Sequence, residues 1–220
     1  MAILSTLGFV PADFVHLVRH GEVNNPDRIL YGTLDGFGLT PRGHEMASRV
    51  AKFFSTKPVS AIVCSPLQRT RETAAPLESA TKITASIDDR VVEGHNEFQG
   101  SRVSVRKILR NPRLWPLLRN PLLPSWAEPY SSIASRMMAA IEDAANSVEV
   151  GDVVIVTHQL PIWMVHRHVA GVPLPHFPTS RRCTLASVTT LSLVDGTWKE
   201  QDYQEPAQDL LLDAIDLGAV

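Results

Sequence analysis

Three short runs of apolar, mostly β-branched residues punctuate the chain: 14–18 (FVHLV), 61–64 (AIVC) and 153–157 (VVIVT). Each is bounded by polar or turn residues and lacks strong two-residue alternation, the pattern of strands covered on both faces. Residues 83–87 give a weaker strand signal, and 184–194 a longer, partly alternating one. Helical spacing fills the intervals. Thr40 reads as an N-cap with Pro41 in the first turn, and Met46, Ala47, Val50, Ala51 and Phe54 then share one face. Residues 67–77 are helical in pattern, with Pro76 expected to kink or end the helix. Ile133, Met137, Ala140, Ile141 and Ala144 form another apolar stripe, and 161–170 suits a short helix. Asp195-Gly196, between 189–194 and 198–203, is a hairpin signal at an antiparallel edge.

Strands alternating with helices predict a three-layer α/β/α domain with a central, mostly parallel sheet. At 220 residues the chain fits one such domain, spanning 1–220. Segment 101–130 breaks the pattern: five prolines and six basic residues are mixed with leucines and tryptophans, which reads as an inserted lid that sets specificity. The tail, 204–220, is acidic and then apolar, a docked or frayed helix.

Composition narrows the partners. The chain is 44% apolar and carries a net charge of −2, so no basic field favours nucleic acid or an anionic membrane. Cys64 and Cys183 lack metal-type spacing and are expected to be reduced, buried and inert. The N-terminal stretch has no basic leader, and no apolar run reaches membrane-spanning length, so the expected setting is the cytoplasm. Assembly as a homodimer is left open.

In open parallel sheets, ligands bind beyond the carboxyl ends of the strands. Arg19, His20 and Gly21 follow the first apolar run, Ser65 to Arg69 the second, and His158 the third. Two arginines and two histidines thus converge at one sheet edge. Arginine presents a planar fork of donors matched to phosphate oxygens, and glycine at 21 would let backbone approach a ligand closely. The other histidines, His16, His44, His95, His166, His168 and His176, show no metal-ligand spacing, and no metal or other cofactor is expected.

The motifs LVRHGEV, LTPRGHEMA, SPLQRTRETA, DDRVVEGHNEFQG and VTHQLPI, in this order, resemble the histidine phosphatase superfamily, its phosphoglycerate-mutase-like branch. The resemblance runs from about residue 14 to about residue 195. It implies phosphoryl transfer through a phosphohistidine, without a metal. His20 matches the nucleophile, Arg19 and Arg69 the phosphate clamps, His158 the second pocket histidine and Glu93 the acid that protonates the leaving alcohol, with Glu97 a rival for that last role. Gly21 joins the phosphate-binding set, and Asn25, Asn96 and Gln159 are substrate-pocket candidates. The chain departs from the family pattern at Val23, where a hydroxyl residue is usual, in the shortened stretch after Glu93, and at Gln159, where a glycine commonly follows the histidine. The expected activity is a phosphomonoester hydrolase acting on a small phosphorylated metabolite. A phosphoglycerate-type mutase and a non-catalytic phospholigand-binding module are the alternatives.

Overall fold

The computed structural model describes residues 12–101 and 127–216. Six strands form one sheet: β1 (Val15–Arg19), β2 (Val59–Cys64), β3 (Ser86–Ile87), β4 (Asp152–Thr157), β5 (Val188–Val194) and β6 (Thr197–Gln204), in the order β3-β2-β4-β1-β5-β6. The first four run parallel, β5 is antiparallel to β1, and β6 is antiparallel to β5. Among the described residues four α-helices accompany them: α1 (Pro41–Phe54), α2 (Gln68–Thr81), α3 (Tyr130–Ala145) and α4 (Gln159–Val169). None is long and apolar enough to cross a membrane among the described residues.

Successive side chains on each strand face opposite ways, so every buried strand feeds two cores. Val15 and Leu17 of β1, with Val153 and Ile155 of β4, pack against Ile133, Met137 and Ile141 of α3 and Leu160 and Met164 of α4. Val18, Val154 and Val156 face the other way, onto Met46, Val50 and Phe54 of α1 and Ala74 and Leu77 of α2. The three layers expected from the alternation of elements are therefore present, and the stripes read on α1 and α3 are the faces that are buried.

Some local expectations change. The strand sought at 83–87 is only the two-residue β3, both residues exposed at the sheet edge. Pro76 does not end α2, which continues to Thr81. The proline is only partly buried on a turn between exposed Ala75 and buried Leu77, so the carbonyl it leaves without an N–H partner can be met by water. Strand β5 begins at Val188 rather than 184, because residues 184–187 form a turn with Ala186 at φ 57. The hairpin at Asp195-Gly196 is found with both residues at positive φ, 51 and 72, as its type I′ sequence requires. Through residue 216 the tail does not form an α-helix. It makes one 3₁₀ turn at Gln208–Leu210, and Leu210, Leu211 and Ala214 dock on the core beside α1 and α2. Most of the insertion expected at 101–130 lies outside the described residues.

Thr40 caps α1 by accepting from the Gly43 N–H at 2.9 Å, which points the helix start at the end of β1. The contact is backbone against backbone: a β-carbon on Gly43 would lie 2.1 Å from the carbonyl oxygen of Glu22, and one on Gly21 2.5 Å from that of Gly43. Gly43→Ala should lower stability by about 1–3 kcal/mol, read from urea denaturation, because backbone on both sides cannot yield as a flexible side chain would. An unchanged midpoint would show that this approach is not a tight one.

Candidate active site

Register places the first two site residues. Arg19 lies opposite Thr157 across the β1–β4 pair, so His20 and His158 leave adjacent strand ends side by side, their ring centroids 5.3 Å apart. The end of β2 adds Ser65, whose Oγ lies 2.8 Å from His158 Nε2. Arg69 enters from the first turn of α2, with its guanidinium 4.8 Å from the Tyr31 ring centroid and Nη2 donating to the Gly32 carbonyl at 2.6 Å. Glu93 arrives on the segment after β3. That segment is fixed by Arg136 of α3, which donates to the carbonyls of Arg90 (2.6 Å), Val92 (2.8 Å) and Glu93 (3.4 Å), and by Thr157 Oγ1, which donates to Val91 (2.6 Å).

Arg19, His20, Arg69, Glu93 and His158 are all 0% exposed. Burial, with help from Arg69 and Arg19, holds His20 well below the usual imidazole range, so the ring is neutral. Its tautomer is also fixed. The Gly21 carbonyl, 2.8 Å from Nδ1, can only accept, so Nδ1 carries the proton and Nε2 presents a lone pair. His158 is likewise held well below its usual range, first by burial and then by Arg69 and His20. Burial pushes the Glu93 carboxyl upward, against the Gly94 N–H at 2.9 Å and the neighbouring arginines.

The buried side-chain nitrogens and oxygens without a hydrogen-bond partner among the described residues number seven, and five belong here: Arg19 Nε, His20 Nε2, Arg69 Nε, Glu93 Oε2 and His158 Nδ1. Such atoms are costly to bury and uncommon, so their concentration in one cluster marks a place built for a polar ligand. The model of the histidine phosphatase superfamily (branch 1) matches residues 15–206. The chain belongs to that superfamily. It is 43% identical over 194 residues to the uncharacterized protein Rv0525 of Mycobacterium tuberculosis, covering 88% of this chain and 96% of that one. It is 28% identical over 181 residues to phosphoserine phosphatase 1 of Hydrogenobacter thermophilus, covering 80% and 85%. Among solved structures, a mycobacterial glucosyl-3-phosphoglycerate phosphatase with inorganic phosphate superposes with a TM-score of 0.72 at 22% identity, covering 89% of this chain and 99% of that one. As a histidine phosphatase, the chain is an enzyme of the phosphatase and phosphoglycerate-mutase-like class.

Not every residue expected at the site of this histidine phosphatase has its polar atoms there. Gly21 donates its N–H to Thr73 Oγ1 at 3.1 Å, and its closest approach is to Gly43. The Asn25 side chain closes its own loop on Ile29, and Asn96 Oδ1 accepts from Phe98 N at 2.8 Å in an Asx turn. Gln159 sits at the rim, half-buried, with Nε2 donating to the Cys183 carbonyl at 3.4 Å. Glu97 is exposed and pairs with His95, so the buried carboxyl of the cluster is that of Glu93. His16 bonds Asp152 and Thr190 at the far end of the sheet, and His166 pairs with Glu200. Among the described residues no group of three His, Cys, Asp or Glu side chains is placed to hold a metal ion. Both cysteines are free and buried, and burial pushes Cys64 up to about 12 and Cys183 up to about 11, so neither is a thiolate at neutral pH.

Three site residues carry no signal in the sequence. Tyr31 stacks under Arg69 and meets His20 edge-on at 6.5 Å. Arg181 reaches the rim from the loop before β5. Asp216, in the tail, accepts from Arg19 Nη1 at 2.7 Å and Nη2 at 2.6 Å, while Arg19 Nη1 also donates to the Cys183 carbonyl at 2.6 Å. The tail is anchored there by the Ile215 N–H on Glu22 (2.7 Å) and by Arg42 on the Asp213 carbonyl (2.5 Å). Burial alone would lower the Arg19 pKa, but the Asp216 carboxylate carries it above the usual guanidinium value. The Asp216 side chain is 34% exposed, so the carboxylate meets solvent while the guanidinium does not. Asp216→Asn should tighten binding of orthophosphate up to about fivefold by calorimetry, because an exchangeable carboxylate no longer competes for Arg19. Weaker binding would instead make Asp216 an anchor that aims the guanidinium.

Proposed function

We propose that the protein is a phosphomonoester hydrolase that works through a phosphohistidine on a small phosphorylated metabolite. The observation that carries this reading is the neutral His20 imidazole, its Nε2 lone pair buried beside two guanidinium groups. Phosphatases among its relatives and structural neighbours support the same reading: the named activities of two of them are hydrolysis of phosphoserine and of glucosyl-3-phosphoglycerate.

A phosphoryl dianion repels a nucleophile, so the first requirement is neutralisation. Arg69 and Arg19 supply it from a buried site, with Arg19 exchanging the Asp216 carboxylate for the phosphoryl oxygens. The His20 Nε2 lone pair then forms a bond to phosphorus as the ester P–O bond breaks. Glu93, whose protonated form burial favours, gives its proton to the departing alkoxide. His158 donates from Nδ1 to a phosphoryl oxygen when Ser65 donates to Nε2. A water molecule next attacks phosphorus, giving its proton to the Glu93 carboxylate. The N–P bond breaks, and phosphate and the neutral imidazole are regenerated.

Two measurements test the scheme. A panel of phosphorylated metabolites, assayed for phosphate release with a chelator present, should give release by the native protein and at least about a thousandfold less by His20→Ala, as for loss of a covalent nucleophile. Release undiminished in His20→Ala would remove that residue from the chemistry. The pH profile follows from the two perturbed groups. His20 must be neutral and its pKa is lowered, so the acid limb of kcat/KM lies well below 6.5. Glu93 must be protonated and its pKa is raised, so activity falls as pH rises through that raised value. The expected profile is a bell whose alkaline limb belongs to Glu93, and Glu93→Gln should flatten that limb for the same substrate. An alkaline limb that survives in Glu93→Gln would assign the acid to another group.

A further inference from the structure

Beyond Ala207, which is 1% exposed, none of the described tail residues is fully buried. Leu210, Leu211 and Ala214 rest on the core beside α1 and α2, while Leu212 and Ile215 face solvent, 92% and 51% exposed. The last stretch, 212–216, leans on polar contacts more than on packing. Arg42 donates to the Asp213 carbonyl at 2.5 Å, and the Ile215 N–H donates to Glu22 Oε1 at 2.7 Å. Asp216 then places one carboxylate oxygen on each terminal nitrogen of Arg19, at 2.7 and 2.6 Å. A segment docked this shallowly opens locally, without unfolding of the core.

The charges give this docking a consequence. Arg19 is 0% exposed, and the partly exposed Asp216 stands between that guanidinium and solvent. While the carboxylate is in place, the two charges cancel. Arg69, bonded to the neutral Gly32 carbonyl, then faces a phosphoryl dianion alone. A carboxylate left on Arg19 would also repel that dianion, and in a buried site such repulsion is little screened. When the carboxylate withdraws, phosphoryl oxygens take its place, so the buried guanidinium is not left without an anion. The exchange is like for like at Arg19, and what the protein gives up is the shallow docking of the tail.

We propose that residues 212–216 form an autoinhibitory strap: the Asp216 carboxylate occupies the Arg19 half of the phosphate clamp, and a phosphoryl dianion binds by displacing it. This rests on the reading of Arg19 and Arg69 as phosphate clamps and adds to it an internal anion that each ligand must displace. Docked strap and bound phosphate exclude one another, so each weakens the other by the same factor. That factor is the ratio of total to strap-released protein.

Two measurements on the full chain read the factor independently. In calorimetry with orthophosphate, Asp216→Asn should bind more tightly, up to about fivefold, the worth of a partly exposed ion pair. In hydrogen exchange followed by mass spectrometry, saturating orthophosphate should speed exchange of the native peptide containing Ile215, whose amide is released from Glu22, and by a similar factor. Arg42→Ala, which loosens the strap without touching Arg19, should speed that exchange and tighten phosphate together. Weaker binding in Asp216→Asn, or native exchange left unchanged or slowed by bound phosphate, overturns the strap. The carboxylate would then aim Arg19, with the tail staying docked over the ligand. Faster tail exchange in Arg42→Ala at unchanged affinity overturns it as well. Orthophosphate that binds neither the native protein nor Asp216→Asn refutes the clamp reading, and the strap with it. Binding to both with no response in the tail refutes the strap alone.

Discussion

Two guanidinium groups buried at the carboxyl end of a parallel sheet impose the main constraint on this fold. Removing such a charge from water costs several kcal/mol, and each must be compensated where it stands. Arg19 is met by the Cys183 carbonyl and the Asp216 carboxylate, Arg69 by the Gly32 carbonyl and the face of Tyr31. Much of the irregular structure supplies those compensations. The loop after β1 delivers Tyr31 and Gly32, the turn before β5 delivers Cys183, and the tail returns across the start of α1 to deliver Asp216.

The same charges set the protonation states at their centre. With burial as the larger influence, they keep His20 and His158 neutral; on Glu93 they oppose burial, which still prevails. A neutral nucleophile beside a carboxyl whose protonated form burial favours is the pair that phosphoryl transfer to an imidazole requires. The environment of the site, rather than any unusual residue, creates both.

Much of this was legible in the sequence. Apolar runs marked the buried strands because both faces of β1 and β4 are covered, and the residues that follow such runs in a parallel sheet share an edge by construction. That is why Arg19, His20, Arg69 and His158 were placed together without coordinates. Glu93 needed the family motif, since its segment carries no periodicity and is held by Arg136 from α3. Asp216, Arg181 and Tyr31 were missed for a physical reason. Asp216 lies 197 residues from Arg19, and a contact of that range leaves no local pattern when the residue is an ordinary charged one in a tail. Asn25 and Asn96 show how loop amides are occupied: both side chains bond their own backbone, as short amides in loops usually do. Pro76 shows the limit of local rules, since a helix with Ala74 and Leu77 buried in the core continues through a proline on its outer side.

The central claim is that His20 itself carries the phosphoryl group. Its most direct test is to mix the native protein with a turned-over phosphorylated metabolite, quench within milliseconds in alkali, where phosphohistidine survives, and map the modified peptide by mass spectrometry. The account predicts a phosphoryl group on the peptide containing His20, formed faster than phosphate is released. Phosphate release with no phosphorylated peptide at any time, or with the group on another residue, would contradict it.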